Sequence, residues 1–178
     1  MDLIRSISGI RGIIGKNFNP SIAANYAKSF CYIQSPYNTE NKPIIISRDT
    51  RNQGYEISNA IKEALTSLGL DIYDIGIAPT PVIQHLVTKL KSGGGIMITA
   101  SHNPEEWNGL KFIDSDGCFI DSKKNQKLFT HYDTILSSES KITKPPAPIT
   151  NKKGSITDKT YAIDDFIDDL FSMQFINI

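Results

Sequence analysis

Apolar positions along this chain alternate between two periods. Residues 3–14 are apolar and β-branched, interrupted by Gly9 and Gly12, and read as an extended segment. Asn19-Pro20 opens a helix, with Asn19 as N-cap and Pro20 at the first helical position. Ile22, Ala23, Tyr26, Ala27 and Phe30 fall on one face of it. KPIIISRDT is a short buried strand that ends in charge. From Gly54 the helical stripe is Ile57, Ala60, Ile61, Ala64, Leu65 and Leu68, and Gly69 stops it. LDIYDIGIA is the next strand, and Thr80-Pro81 caps a third helix with Val82, Ile83, Leu86, Val87 and Leu90 inward. GGGIMITA is a further strand, and LKFIDSDGCFI reads as a hairpin turning at Ser115–Gly117. A helix starting near Asp121 buries Leu128, Phe129 and Tyr132.

Strands separated by helices of this length argue for βαβ units. The expectation over residues 1–136 is a three-layer α/β/α domain with a mostly parallel mixed sheet. Residues 137–158, rich in Ser, Thr, Lys and Pro and without a period, read as a loop or linker. Residues 159–178 look helical, with Tyr161, Ile163, Phe166, Ile167, Leu170 and Phe171 apolar, and lead toward a second domain. The apolar stop at Phe175-Ile176-Asn177-Ile178 suggests that the natural protein continues.

Composition narrows the class. The 178 residues carry 19 basic and 19 acidic side chains, a net charge of zero, which gives no reason to expect a nucleic-acid or anionic-membrane partner. Cys31 and Cys118 form no CxxC pair, which argues against a zinc site or a disulfide framework. The N-terminus has no long apolar region, and no transmembrane span is readable. A cytoplasmic protein is the expectation.

Two strand ends carry the candidate chemistry, because ligands collect at the carboxyl ends of parallel strands. One is SRDTR, with Arg48, Asp49 and Arg51; the other is TASHNP, with Ser101 and His102. Lys111 follows just past Asn108-Gly109. On pattern alone Ser101 is equally a turn former or a presented nucleophile. It lies outside any G-x-S-x-G elbow, and no aspartate is placed to complete a triad. SGIRGIIGK is not a Walker A loop, since Gly9 lies one residue too far from Gly15-Lys16 and Asn17 replaces Ser or Thr. Arg11 there is either a solvated arginine on a glycine-bent strand or a bidentate phosphate ligand.

TASHNPEEWNGLKF resembles the active-site loop of the α-D-phosphohexomutases, the superfamily of phosphoglucomutase, phosphomannomutase and phosphoglucosamine mutase. SGIRG, SRDTR and IGIAPTP precede it in the family's order, and the resemblance covers about residues 3–135. It implies that Ser101 is a phosphoserine that converts a hexose monophosphate to a bisphosphate and then takes the other phosphate back. It implies Mg²⁺, held by one oxygen of that phosphoserine and three aspartates of a second-domain loop. Arg11 and Lys111 match positions beside the phosphoserine: Lys111 as proton-transfer group, Arg11 as electrostatic clamp. His102 and Asn103 would contact substrate or phosphate, and Asn108-Gly109 would form the tight turn that brings Lys111 over Ser101.

The departures from the family pattern are specific. The family's metal, sugar and C-terminal phosphate loops are missing; DSDG at 114–117 offers only two carboxylates. Gln53 stands where the family often has serine, and SGIRG differs from the start familiar in phosphoglucosamine mutases. The expectation is therefore the first domain of a phosphohexomutase, inactive alone and completed by the remaining domains, its hexose unreadable. The alternatives are a stand-alone domain that binds sugar phosphates or a partner without turnover, and a serine phosphotransferase unrelated to sugars.

Overall fold

Residues 3–14 fold back on themselves. Gly9 takes φ = 113° and reverses the chain between two antiparallel strands, β1 (Ile4–Ser6) and β2 (Gly9–Ile13). No other residue fits there, because a Cβ at this position would lie 2.0 Å from the Leu110 carbonyl oxygen. The computed structural model describes residues 3–34, 42–139 and 152–173. It continues with α1 (Pro20–Gln34), β3 (Ile44–Arg48), α2 (Gly54–Ser67), β4 (Ile72–Ile77), α3 (Thr80–Lys89) and β5 (Gly94–Ile98). Then come β6 (Trp107–Ile113), α4 (Ser122–Glu139), β7 (Ile156–Asp158) and α5 (Ala162–Ser172).

Local chemistry sets several of these bounds. Asn19 Oδ1 accepts the Ile22 amide at 2.9 Å, the N-cap that the sequence predicts for α1. Helix α2 ends in a Schellman motif: the Gly69 amide donates to the Thr66 carbonyl (3.0 Å) and that of Leu70 to Leu65 (3.2 Å). Helix α3 is capped by Pro79, which leaves Thr80 and Pro81 inside its first turn, one residue off the expected start.

The seven strands form one sheet in the order β1-β2-β6-β5-β3-β4-β7. The pairings β5–β3, β3–β4 and β4–β7 are parallel, and the other three are antiparallel. The sheet is thus mixed, with its parallel pairings confined to one half. Strand β3 is buried on both faces and shows how the layers divide. Ile44 and Ile46 join a core with Phe30 of α1, Ile61 of α2 and Leu128 of α4. Ile45 points the other way, to Ile83 and Leu86 of α3 and Ala162 of α5. These are the three layers expected. Leu128 and Tyr132 are buried as expected, and Phe129 packs partly exposed against the same core.

The span 137–158 holds regular structure at both ends. Residues 137–139 close α4, and residues 156–158 pair in parallel with β4, Ile156 beside Ile72. Strand β7 is three residues long and exposed throughout, so no burial pattern announces it. It is anchored by Ser155, whose amide and hydroxyl both donate to Asp71 (2.8 and 2.7 Å) and hold that carboxyl below its ordinary range. Residues 140–151 and the apolar stretch from Phe175 to Ile178 lie outside the described residues. Helix α5 is clamped to α3 by Asp169, which takes His85 Nε2 at 2.6 Å and Lys89 Nζ at 2.8 Å. Cys31 is buried, and burial pushes its thiol far up; Cys118 is exposed, and both are free. Among the described residues no helix is long and apolar enough to cross a membrane.

Candidate active site

Strands β3 and β5 run parallel with Arg48 beside Ile98, so their carboxyl ends leave the sheet at one edge. The Asp49 amide bonds the Ile98 carbonyl (3.0 Å), which ties SRDTR to the start of TASHNP. The chain then turns over residues 101–106 and re-enters the sheet at Trp107 as β6. Asn108 and Gly109 therefore lie within β6, where the sequence predicts a tight turn. Gly109 faces Arg11 across the β2–β6 pairing, and a Cβ there would lie 2.2 Å from the Ile10 carbonyl oxygen. The glycine serves close strand approach rather than chain reversal.

Ser101 has φ = 60°, the left-handed region that few non-glycine residues occupy. A relay from β3 holds it there. Its amide donates to Thr99 Oγ1 (2.9 Å), and the Thr99 hydroxyl donates to Asp49 Oδ2 (2.7 Å). The same carboxylate takes the Arg51 backbone amide and Nε, each at 3.1 Å. Arg51 Nη2 in turn donates to the Ser101 carbonyl at 3.0 Å. Both polar backbone groups of Ser101 are thereby fixed while its side chain faces a cleft of about 280 Å³.

Two cations reach that cleft from the antiparallel half of the sheet. Arg11 comes from β2 and Lys111 from β6, and both line it with Ser101, His102, Ser6 and Ser8. Arg11 Nη1 donates to Asn103 Oδ1 at 3.0 Å, while its Nε is buried and makes no hydrogen bond. A buried guanidinium N–H without a partner is uncommon and leaves Arg11 with donor capacity that its neighbours do not use. Lys111 Nζ sits 5.6 Å from the centre of the Phe119 ring, which orients the ammonium without neutralising it. Among the described residues no carboxylate lines the cleft, so its field favours anions.

Of the residues singled out in sequence, Ser101, His102, Arg11 and Lys111 come together. Asn103 stands behind them and orients Arg11. The DSDG turn, Asp114–Gly117, lies elsewhere: Asp114 accepts Gln34 Nε2 (2.9 Å) and the Lys124 ammonium. Sequence reasoning gave Thr99 no role and left Asp49 and Arg51 as a charged strand end. Their positions at adjoining strand ends were the available signal, but the relay between them is visible only in three dimensions. No group of three or more His, Cys, Asp and Glu residues suited to a metal exists among the described residues.

Comparison with known proteins places the chain in a family. Residues 3–139 match the family model described as phosphoglucomutase/phosphomannomutase, alpha/beta/alpha domain I. A phosphoglucosamine mutase of Pediococcus pentosaceus is 34% identical over 152 residues, 84% of this chain and 32% of that protein. One from Nautilia profundicola is 40% identical over 126 residues, 70% of this chain and 28% of that protein. The chain thus spans about a third of the length of these curated relatives. The crystal structure of a phosphoglucomutase/phosphomannomutase family protein from Burkholderia thailandensis superposes with a TM-score of 0.69 at 24% identity. That match covers 93% of this chain and 35% of the other, and it concerns the fold.

Proposed function

This chain belongs to the phosphoglucomutase/phosphomannomutase family, as its α/β/α domain I, and we propose that Ser101 is the phosphoserine through which the whole protein interconverts hexose 1-phosphate and hexose 6-phosphate. The observation that carries the reading is the cleft: Ser101 at a strand end, held left-handed beside Lys111 and the buried, unpartnered Nε of Arg11. The phosphoryl group passes from Ser101 Oγ to a sugar hydroxyl. The P–Oγ bond breaks, a P–O bond to the sugar forms, and the hydroxyl proton ends on Oγ, with Lys111 as its carrier. The other phosphate of the resulting bisphosphate then returns to Ser101 by the same exchange in reverse. Arg11, held by Asn103, balances charge on the transferring group, and His102 orients it.

Mg²⁺ would supply further charge neutralisation when bound. Among the described residues the Ser101 phosphate is the ligand this chain would contribute, and the others would come from the rest of the protein. Both curated relatives named above are phosphoglucosamine mutases, so glucosamine 1-phosphate belongs beside the glucose and mannose phosphates among the substrates to assay. Two free thiols fit a cytoplasmic setting.

Incubation with glucose 1,6-bisphosphate followed by intact mass measurement tests the phosphoserine. A single phosphoryl adduct is expected on the native chain and none on Ser101→Ala. An adduct that persists in the alanine variant would remove Ser101 from this role. The 178-residue chain by itself should turn over no hexose phosphate. A lone protein-derived ligand leaves Mg²⁺, which favours about six oxygens, held almost wholly by water. Robust conversion of glucose 1-phosphate by this chain alone would overturn that expectation.

A further inference from the structure

We infer that Arg51 is a positioning residue for phosphoryl transfer: it sets the orientation of Ser101 without touching the substrate. The inference rests on the phosphoserine reading above and adds to it a residue outside the cleft. Arg51 does not line the cleft, yet its side chain is only 12% exposed and each of its three nitrogens is engaged. Nε binds Asp49 at 3.1 Å. Nη1 reaches the carbonyls of Pro104 (2.7 Å) and Trp107 (3.2 Å). Nη2 reaches those of Ser101 (3.0 Å) and Asn103 (2.7 Å). One guanidinium therefore gathers four carbonyls spread over the whole turn from β5 to β6.

The carbonyls of Ser101, Asn103 and Pro104 lie in the irregular turn outside the sheet, where Pro104 also accepts the Trp107 amide (3.0 Å), and that of Trp107 lies at the first residue of β6. Only a planar fork with five N–H groups can serve four of them and a carboxylate together. A lysine has three donors on a compact head and cannot span the same set. The carboxylate that anchors Arg51 also receives the Thr99 hydroxyl, which itself receives the Ser101 amide. The left-handed conformation of Ser101 thus depends on Arg51 through its carbonyl directly and through its amide by the relay. Such strain persists only where the surroundings over-determine it. With the brace gone, Ser101 relaxes to an ordinary conformation, and its Oγ turns away from Arg11 and Lys111.

The test uses the whole protein as wild type, Arg51→Lys, Arg51→Ala and Ser101→Ala. It reads kcat, KM, melting temperature and amide hydrogen exchange. Arg51→Lys and Arg51→Ala are expected to lower kcat by roughly 10–100-fold, since displacement of a reacting group by an ångström has that effect. KM should stay within about threefold, because the cleft residues remain. Exchange should quicken in residues 101–107 by about tenfold or more, while β3 and α2 keep their protection. Millimolar methylguanidinium should restore part of the lost kcat in Arg51→Ala and none in Ser101→Ala. A kcat near wild type in both Arg51 variants, with Ser101→Ala inactive, overturns the positioning role and leaves the phosphoserine standing. Turnover by Ser101→Ala, or none by the wild type on any of the three hexose phosphates, sinks the phosphoserine reading itself. Failure of both Arg51 variants to fold also overturns the proposal, since Arg51 is then a folding residue.

Discussion

Arg11→Ala in the whole protein should lower kcat by about 10³–10⁵-fold, the range for losing an arginine that balances charge on a transferring phosphoryl group. The size follows from where Arg11 stands. It enters from β2, its backbone held by pairing with Gly109, and its Nη1 is fixed on Asn103. Its Nε has already lost water without gaining a partner, so part of its desolvation cost is met before any ligand arrives. A phosphoryl group in the cleft that takes a bond from this guanidinium does so most strongly when charge on its oxygens is greatest, and the gain appears in kcat more than in KM. Arg11→Lys should recover only a small part, because an ammonium cannot keep the Asn103 bond and present a second planar donor to the phosphate. The pH profile should keep its shape in both variants, since arginine does not titrate. Steady-state kinetics decide the matter: a kcat within about tenfold of wild type for Arg11→Ala makes it a strand residue with a solvated head.

Where local chemistry dominates, the sequence was readable. Asn19-Pro20 placed α1 because an N-cap and an N1 proline act within one turn. Ile44, Ile45 and Ile46 marked a strand buried on both faces, and they divide between the two cores. The family motif brought Ser101, His102, Arg11 and Lys111 into one cleft. Interactions between distant segments were the ones that escaped. Asn-Gly is a turn signal in isolation, but Gly109 answers to Ile10, which is remote in sequence. Strand β7 escaped because its pairing to β4 is a backbone event with no buried side chain behind it. Arg51 escaped as a brace because its bonds go to carbonyls, and carbonyls carry no sequence signature.

Lys111→Met should lower kcat by roughly 10²–10⁴-fold, the usual contribution of a positioned proton-transfer group. Methionine keeps most of the length and apolar bulk of the stem and removes the ammonium that sits over the Phe119 ring. That separates chemistry from packing, as alanine would not. Magnitude cannot distinguish Lys111 from Arg11, since the two ranges overlap, but pH can. A group that takes the sugar hydroxyl proton and passes it to Ser101 Oγ, and does the reverse in the second half-reaction, must change its own charge during turnover. It therefore imposes a titrating limb on the kcat profile, and that limb should vanish in Lys111→Met. A cation acting only through its field imposes none. The strand positions allow both cations to act on one group: Arg11 pairs with Gly109, and Lys111 follows two residues later on β6, beside Met97. With no side chain at Gly109 between them, the two heads share one cleft with Ser101. A Lys111→Met enzyme that keeps both its limb and near-normal kcat would leave proton transfer to another group and reduce Lys111 to a neighbour of Phe119.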